Sequence, residues 1–488
     1  MQFASLGMIM GRHNAELPAG ADPADTVAPL TWRRRVERHV LPPARVRVSA
    51  TELAVVLAMA SLAAFFRLGT SALHGRLWAE DGAIFLQQAV RHGPLAPFSY
   101  RYGGYLSTGP RLVAAALYPL PLRWQGIGMH LGAAVFEGAL AALCYLALRG
   151  HVPSRALRAA VALCLVAVPV GSEAVGSVTN LQWFLMPAAV ITLLWTPRRA
   201  LGWAAIAACC FLAVTTSPFG AIVLVAALAR QVLQRQAGAT WVLVVTAVGV
   251  AIQSIAMAGA PRTGAAAQLH FGVRPGSLVA GYLRRVLGDG VLGEARLAPQ
   301  STQTSVTAGI VVLVGILALA LLTWRRGRDP AGLWVVGVLL TFSAVTYAVP
   351  VITSGVSTAL PYYGARYYVT PAVLVEAAIL ILVGQVLPLR RRQSPDARPG
   401  SGARHVRPVL AVALAAAGVV ALGYGLISSF DQSSVFDRDR GPSWSSSSRL
   451  LLRQCVGRPD TTRVTAEVLP IGHGWFVRLS CAEVRARS

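Results

Sequence analysis

The segment "RLWAEDGAIFLQQAV", residues 76–90, sets two carboxylates side by side, Glu80 and Asp81, in a chain of 488 residues with only 20 acids. A carboxylate within reach of a hydroxyl can act as its general base, and a neighbouring one can hold an acceptor or a divalent ion. The competing reading of Asp81 is a helix N-cap. "DGAIFLQQAVRHG" starts with Asp and ends with Gly93, and Ile84, Phe85, Ala89 and Val90 lie near one face. That reading leaves Glu80 without a task.

Two further constellations could do chemistry. "LPYYGARYYVTP", residues 360–371, surrounds Arg366 with Tyr362, Tyr363, Tyr367 and Tyr368. A guanidinium grips phosphate in a bidentate way. The plainer reading is an aromatic belt with the arginine on a lipid headgroup. In "GSEAVGSVTNLQWFLMP", Glu173 is followed by Asn180, Gln182 and Trp183, and Asn180 is one of only two asparagines. Such amides and an indole could bind a sugar, or could mark a membrane interface.

The elements that position these groups belong to a membrane. The chain is 55% hydrophobic and 13% charged, about half the charge of a soluble chain. Its apolar runs suit helices that cross a ~30 Å hydrocarbon core. The expected fold is an all-α polytopic membrane protein with spans near 51–68, 126–148, 157–171, 183–196, 200–216, 218–230, 239–258, 306–323, 332–350, 367–388 and 409–427. That is eleven. Residues 106–122, "LSTGPRLVAAALYPLP" and its flank, would make a twelfth. They read instead as an interfacial helix, with Pro110 near its start and Pro119 and Pro121 ending it.

The net charge of +24 invites a nucleic-acid reading. The arginines, with no lysine among them, sit mainly in short loops, the pattern of topology determinants. With a cytoplasmic N-terminus, 23 arginines fall on cytoplasmic stretches: seven in 1–48, three in 149–158, Arg198, Arg199, Arg230, Arg235, Arg325, Arg326, Arg328, and six in 389–408. Residues 1–48 read as a disordered cytoplasmic tail rather than a signal peptide. The expected organisation is that tail, a transmembrane domain over 49–427 with outer loops 69–125 and 259–305, and a small extracytoplasmic segment, 428–488. In that last segment Cys455 and Cys481 are the only cysteines, and an oxidising compartment favours their pairing. "TTRVTAEVLPIG" and "GWFVRLSC" alternate like strands, so a disulfide-stapled cap is expected.

On the outer side before residue 428 the acids are Glu80, Asp81, Glu173, Asp289 and Glu294. Glu137 and Glu376 fall inside spans, where ionisable groups are expensive and often functional. His270 in the second outer loop reads as structural. The sequence has no P-loop, no dinucleotide fingerprint, and no Cys/His cluster with metal-ligand spacing.

"WAEDGAIF", "YGGYLSTGPR", "TNLQW" and "GARYYVTP" are similar in type and order to elements of the GT-C superfamily of integral-membrane glycosyltransferases, over about residues 51–390. The chain departs from better-known members in its short, Ser-rich C-terminal segment. The resemblance implies transfer of a sugar from a polyprenyl-phosphate donor to a cell-envelope glycan, lipid or protein on the extracytoplasmic face. Asp81 would then be the base, with Glu80 the second candidate or the holder of acceptor or a divalent ion. Arg366 would bind the donor phosphate, with Arg111, Arg284 and Arg285 as further contacts. Tyr100, Tyr105, Glu173, Asn180, Gln182, Trp183, Tyr362, Tyr363 and Tyr367 would line the sugar or acceptor site. A single displacement would invert the anomeric centre. Two other readings stand beside this one. A transporter or flippase for a lipid-linked glycan or other amphiphile would use Glu137 and Glu376. A non-catalytic envelope component would bind a partner through its outer tail.

Overall fold

In lipid a backbone amide has no water to bond, so long apolar runs fold as helices. A computed structural model describes residues 32–44, 46–171, 173–174, 176–259, 273–297, 299–325, 331–354, 364–387, 408–431 and 438–488, and most of them are helical. In chain order, α1 (Trp32–Val40) and α2 (Ala50–Phe66) lead to a short α3 (Thr70–Leu73). A π-helical segment, Asp81–Leu86, runs into α4 (Gln87–His92), and α5 (Thr108–Leu117) follows. Then come α6 (Leu122–Ala147), α7 (Arg155–Ala167), α8 (Gln182–Thr192), α9 (Ala200–Thr216), α10 (Ala221–Leu233) and α11 (Ala237–Ala258). Short helices α12 (Pro275–Gly281), α13 (Asp289–Leu292) and α14 (Glu294–Leu297) precede α15 (Thr302–Arg325), α16 (Ala331–Ser354), α17 (Arg366–Val386) and α18 (Pro408–Ser428). The chain closes with α19 (Trp444–Gln454), the antiparallel strands β1 (Arg463–Glu467) and β2 (Phe476–Ser480), and α20 (Cys481–Arg485).

Among the described residues six helices are long and apolar enough to cross a membrane: α6, α11, α15, α16, α17 and α18. The other five expected segments are helices too, α2, α7, α8, α9 and α10, but shorter. Proline sets some of those lengths. α7 stops at Ala167 because Val168 precedes Pro169 and takes an extended ψ of 129°. Ser217 is likewise extended before Pro218, separating α9 from α10. α5 has ten residues, a rise of about 15 Å, half the hydrocarbon thickness. Residues 106–122 therefore do not form a continuous span.

Part of the expected disordered tail is ordered. α1 is amphipathic, and its apolar face places Val36 and Val40, with Leu41, in the main core. Arg33 Nε donates to the Leu233 carbonyl at 3.3 Å. Nine residues carry too short a period to stand out from an Arg-rich tail. Residues 1–31 lie outside the described residues.

Three helix ends meet on one cation. Arg67, the residue after α2, donates to the carbonyls of Val166 and Val168 at 2.9 Å and of Ser429 and Phe430 at 3.3 Å. A guanidinium over the last carbonyls of α7 and α18 complements their dipoles. It brings the ends of α2, α7 and α18 to one level.

The C-terminal segment is not a separate cap. Leu77, Phe85, Leu86, Val113 and Leu181 share a second hydrophobic core with Trp444, Leu451, Val464, Val477 and Cys481. A disulfide joins Cys455 to Cys481 with Cα atoms 5.3 Å apart, tying the end of α19 to α20. Trp444 Nε1 donates to the Leu122 carbonyl at 2.6 Å. A Cβ on Gly126 would lie 2.5 Å from both the Gly75 carbonyl and Trp444, so only glycine allows this approach. Residues 438–488 and the stretch between α2 and α6 thus pack as one unit on one end of the bundle.

Candidate functional site

The acidic pair sits on a strained turn held by the C-terminal segment. The Leu469 amide donates to the Leu77 carbonyl at 3.0 Å, and the Ala79 amide to the Leu469 carbonyl at 2.5 Å. Ala79 has φ +33°, a left-handed backbone that a Cβ disfavours. Immediately after it, Glu80 and Asp81 reach different partners.

Asp81 is 1% exposed. Its Oδ1 accepts from Ser177 Oγ at 3.1 Å, the Thr179 amide at 2.9 Å and Thr179 Oγ1 at 2.6 Å. The N-cap reading is therefore corrected. Asp81 lies inside the first turn of a π-helical segment, a geometry frequent at functional sites. Among the described residues its carboxylate accepts from the 177–179 loop and not from its own helix. The other half of that expectation stands, since Gly93 ends α4 with φ +82°. Burial pushes the Asp81 carboxyl up to about 6, against the bonds from Thr179 and Ser177.

Glu80 is half-buried, and its Oε1 accepts from the Tyr102 hydroxyl at 3.0 Å. Tyr102 in turn meets Phe85 edge-on at 5.9 Å. Burial, then the Glu80 charge, raise the Tyr102 hydroxyl well above its ordinary range.

Arg366 opens α17 after a turn at Gly364, φ +67°. A cation at a helix N-terminus opposes the dipole. Glu173 compensates, its Oε1 accepting from Arg366 Nη1 at 2.6 Å. The Arg366 side chain stays 34% exposed and also interacts electrostatically with Glu80. Burial raises the Glu173 carboxyl above its ordinary value, with Arg366 opposing.

Arg438 completes the cluster, and sequence reasoning missed it. The guanidinium lies 4.3 Å from the Trp78 ring centre, and Nη2 donates to the Glu173 carbonyl at 2.8 Å. Burial lowers it to about 10, while Asp81 and Glu173 pull the other way. Its one sequence signal is the dense "DRDR" run shortly after the last apolar run. Asp81, Glu80, Glu173, Arg366, Arg438 and Tyr102 thus form one interacting set at one end of the bundle.

The expected sugar-site residues divide. Tyr105 belongs to the cluster, within electrostatic reach of Arg366, Tyr367 and Glu80 and beside Gln182, and burial pushes its hydroxyl up to about 12. Trp183 is 1% exposed and packs on Tyr367 and Phe219, ring centres 4.8 and 5.9 Å away. It is a wall of the core rather than an open stacking platform. Asn180 Nδ2 donates to the Glu173 carbonyl at 3.1 Å and so shapes the loop. Tyr100 packs edge-on against His92. Tyr362 and Tyr363, like His270, lie outside the described residues.

The other expected phosphate contacts are engaged in the fold. Arg111 donates to Gln88 Oε1 at 3.1 Å and the Tyr100 carbonyl at 2.8 Å, and stacks near Phe85. Arg285 is fully buried between Asp289 at 2.5 Å and Glu294 at 2.8 Å, over the Tyr368 ring. Arg284 donates to Thr302 Oγ1 at 3.2 Å. These three position loops; they do not stand open to a ligand. The intramembrane acids Glu137 and Glu376 both interact with Arg67. Glu376 lies ten residues along α17 from Arg366, a rise of about 15 Å, and so is apart from the cluster.

One oxygen of Glu80 is taken by Tyr102 and one of Asp81 by residues 177–179. Among the described residues no three His, Cys, Asp or Glu side chains gather as metal ligands.

Compared with known protein families and with curated proteins, the chain matches none.

Proposed function

We infer that this chain is a membrane glycosyltransferase that moves a sugar from a polyprenyl-phosphate donor to a hydroxyl of an extracytoplasmic envelope acceptor. In this reading all eleven expected helices insert, the N-terminus is cytoplasmic, and the carboxylate cluster faces outward. The observation that carries it is Asp81. A buried carboxylate titrating at about 6 is poised to take a proton near neutral pH. Ser177 and Thr179 hold one of its oxygens, which fixes its direction.

The rest of the cluster supplies the complementary parts. Among the described residues Arg366 makes one ion pair, with Glu173, and remains partly exposed, so a phosphate can compete with Glu173 for it. In a site of low dielectric it would stabilise the negative charge growing on the leaving phosphate. Tyr105, which interacts with both Arg366 and Glu80, and Gln182 beside it offer hydrogen bonds to a sugar. Direct attack by the acceptor hydroxyl inverts the anomeric centre. The resemblance over residues 51–390 supports the same assignment.

The test is transfer from a panel of labelled polyprenyl-phosphate sugars by purified full-length protein. Asp81→Asn is expected to abolish transfer without lowering the melting temperature. Normal transfer by both Asp81→Asn and Glu80→Gln would sink the reading. Glu137→Gln and Glu376→Gln are expected to leave the chemical step intact, whereas a transporter would need them.

A further inference from the structure

The opposite end of the bundle carries a different kind of site. A cavity of about 760 Å³ is lined by Arg47, Arg149, Arg198 and Arg199, by the Trp195 indole, and by apolar side chains including Leu201. Arg149 follows the C-terminal end of α6, whereas Leu122 at the other end of that helix bonds Trp444 beside the second core. α6 has 26 residues, so the two sites are separated by roughly 39 Å of helix.

None of the cavity's lining residues is a carboxylate. Nearby arginines have fixed tasks: Arg158 donates to the Val152 and Pro153 carbonyls at 2.9 Å, Arg230 to the Leu193 carbonyl, and Arg155 pairs with Glu52. Arg47, Arg149, Arg198 and Arg199 make no ion pair among the described residues. Arg149 lies 5.4 Å from the Trp195 ring centre, and its Nε is buried without a hydrogen-bond partner. Four cations without an acid call for an anion. The rest of the lining, including Val46, Val48, Leu146 and Leu201, is apolar, and Leu201 is 80% exposed, so the occupant that fits carries apolar chains beside its charge. Basic pockets at the ends of membrane helices suit anionic lipid headgroups.

We propose that this cavity binds an anionic phospholipid, its phosphate held by Arg47, Arg149, Arg198 and Arg199 and its acyl chains leaving past Leu201. The site is separate from the carboxylate cluster and does not depend on the transferase reading.

The experiment uses full-length protein in nonionic detergent, with native mass spectrometry and thermal unfolding as readouts. The probes are cardiolipin, phosphatidylglycerol, phosphatidylcholine and inorganic pyrophosphate. Cardiolipin and phosphatidylglycerol are expected to stay bound and raise the melting temperature. Phosphatidylcholine and pyrophosphate at equal concentration are expected to do neither. Arg198→Gln with Arg199→Gln should weaken anionic-lipid binding on the order of tenfold or more, leaving the lipid-free melting temperature unchanged. Should that pair fail to fold, Arg47→Gln, on an exposed arginine of the segment before α2, reads the same loss. Arg449→Gln with Arg453→Gln, exposed at the other end, should change nothing. Unchanged binding in the cavity variants, or equal loss in the distant pair, overturns the proposal. Protection by pyrophosphate as strong as by lipid overturns it in favour of a soluble phosphate compound.

Discussion

At the carboxylate end of this bundle Arg366 and Arg438 have partners; at the arginine end four arginines make no ion pair among the described residues. The difference follows from where the charges sit. Arg366 and Arg438 lie among packed helices and loops, where a bare charge is costly, so Glu173 and the rings of Tyr367 and Trp78 attend them. Arg47, Arg198 and Arg199 are exposed at a helix end, where water hydrates them until an anion arrives. Within the paired class there is a further division. Among the described residues Arg285 pairs with two carboxylates and has no exposure, whereas Arg366 pairs with one and has a third of its side chain open. A pair with one partner can exchange it for a ligand; a pair with two is architecture.

The largest effect that tests this comparison is Asp81→Asn. Transfer should fall by about 10³-fold or more if general-base loss is compounded by misplacement of the acceptor. Stability should move the other way. The folded carboxyl titrates near 6 and the unfolded one near ~3.9, so the folded protein binds more protons between those values. Stability therefore falls as pH rises through that window, and above it the ionised Asp81 is a cost. Asn keeps an oxygen for Ser177 and Thr179 without the charge. At pH 8 the variant should melt at or above the parent temperature, as calorimetry can check.

Next in size comes the contrast between two arginines. Arg366→Gln should lower kcat/KM by roughly 10²-fold, the scale of losing one charge-stabilising group, with a modest change in melting. Arg285→Gln should do the reverse. Stranding Asp289 and Glu294 in the interior costs about 3–5 kcal/mol of stability, and any activity that survives should have a near-normal KM. If Arg366→Gln melts like Arg285→Gln, the division between exchangeable and architectural pairs fails. Smaller again is Cys455→Ser. Opening the staple between α19 and α20 should cost about 2–4 kcal/mol in denaturant unfolding. Transfer should persist below the new melting point, because Leu469, although inside the loop the disulfide closes, is held to Leu77 and Ala79 by backbone hydrogen bonds that use neither sulfur.

Much of the scaffold was legible in the sequence because length and apolarity alone decide whether a run becomes a helix in lipid. All eleven apolar segments are helical. Pro169 and Pro218 also explain why some fall short. Cys455 and Cys481 were legible as the only cysteines past residue 428. Asp81, Glu80, Glu173 and Arg366 stood out because charge is scarce there. What was hidden depends on contacts between distant residues. The left-handed Ala79 needs Leu469, nearly 400 positions away, to hold it. Arg438 gains meaning only once Trp78 and Glu173 lie beside it. The commitment of Arg285 had a visible cue, since Asp289 follows it by four residues, the spacing of a helical ion pair. The third member, Glu294, required the turn at Gly293.

The smallest effect separates the two adjacent acids. The Tyr102 hydroxyl donates to Glu80, whereas Asp81 is held by Ser177 and Thr179. A hydroxyl bonded to a half-buried carboxylate contributes about 1.5 kcal/mol, so Tyr102→Phe should change the transfer rate by about tenfold at most. The pH profile of kcat/KM carries the sharper information. With Asp81 as the base, activity is lost as pH falls through about 6, because the carboxylate must be free to take a proton. Tyr102→Phe should leave that limb in place, whereas Thr179→Val, which removes a hydrogen bond that favours the ionised form, should move it to higher pH. A limb that shifts with Tyr102 and ignores Thr179 would transfer the base from Asp81 to Glu80. The pair would then stay in the site with its roles exchanged, and the buried, doubly gripped carboxylate would become the one that merely holds the 177–179 loop.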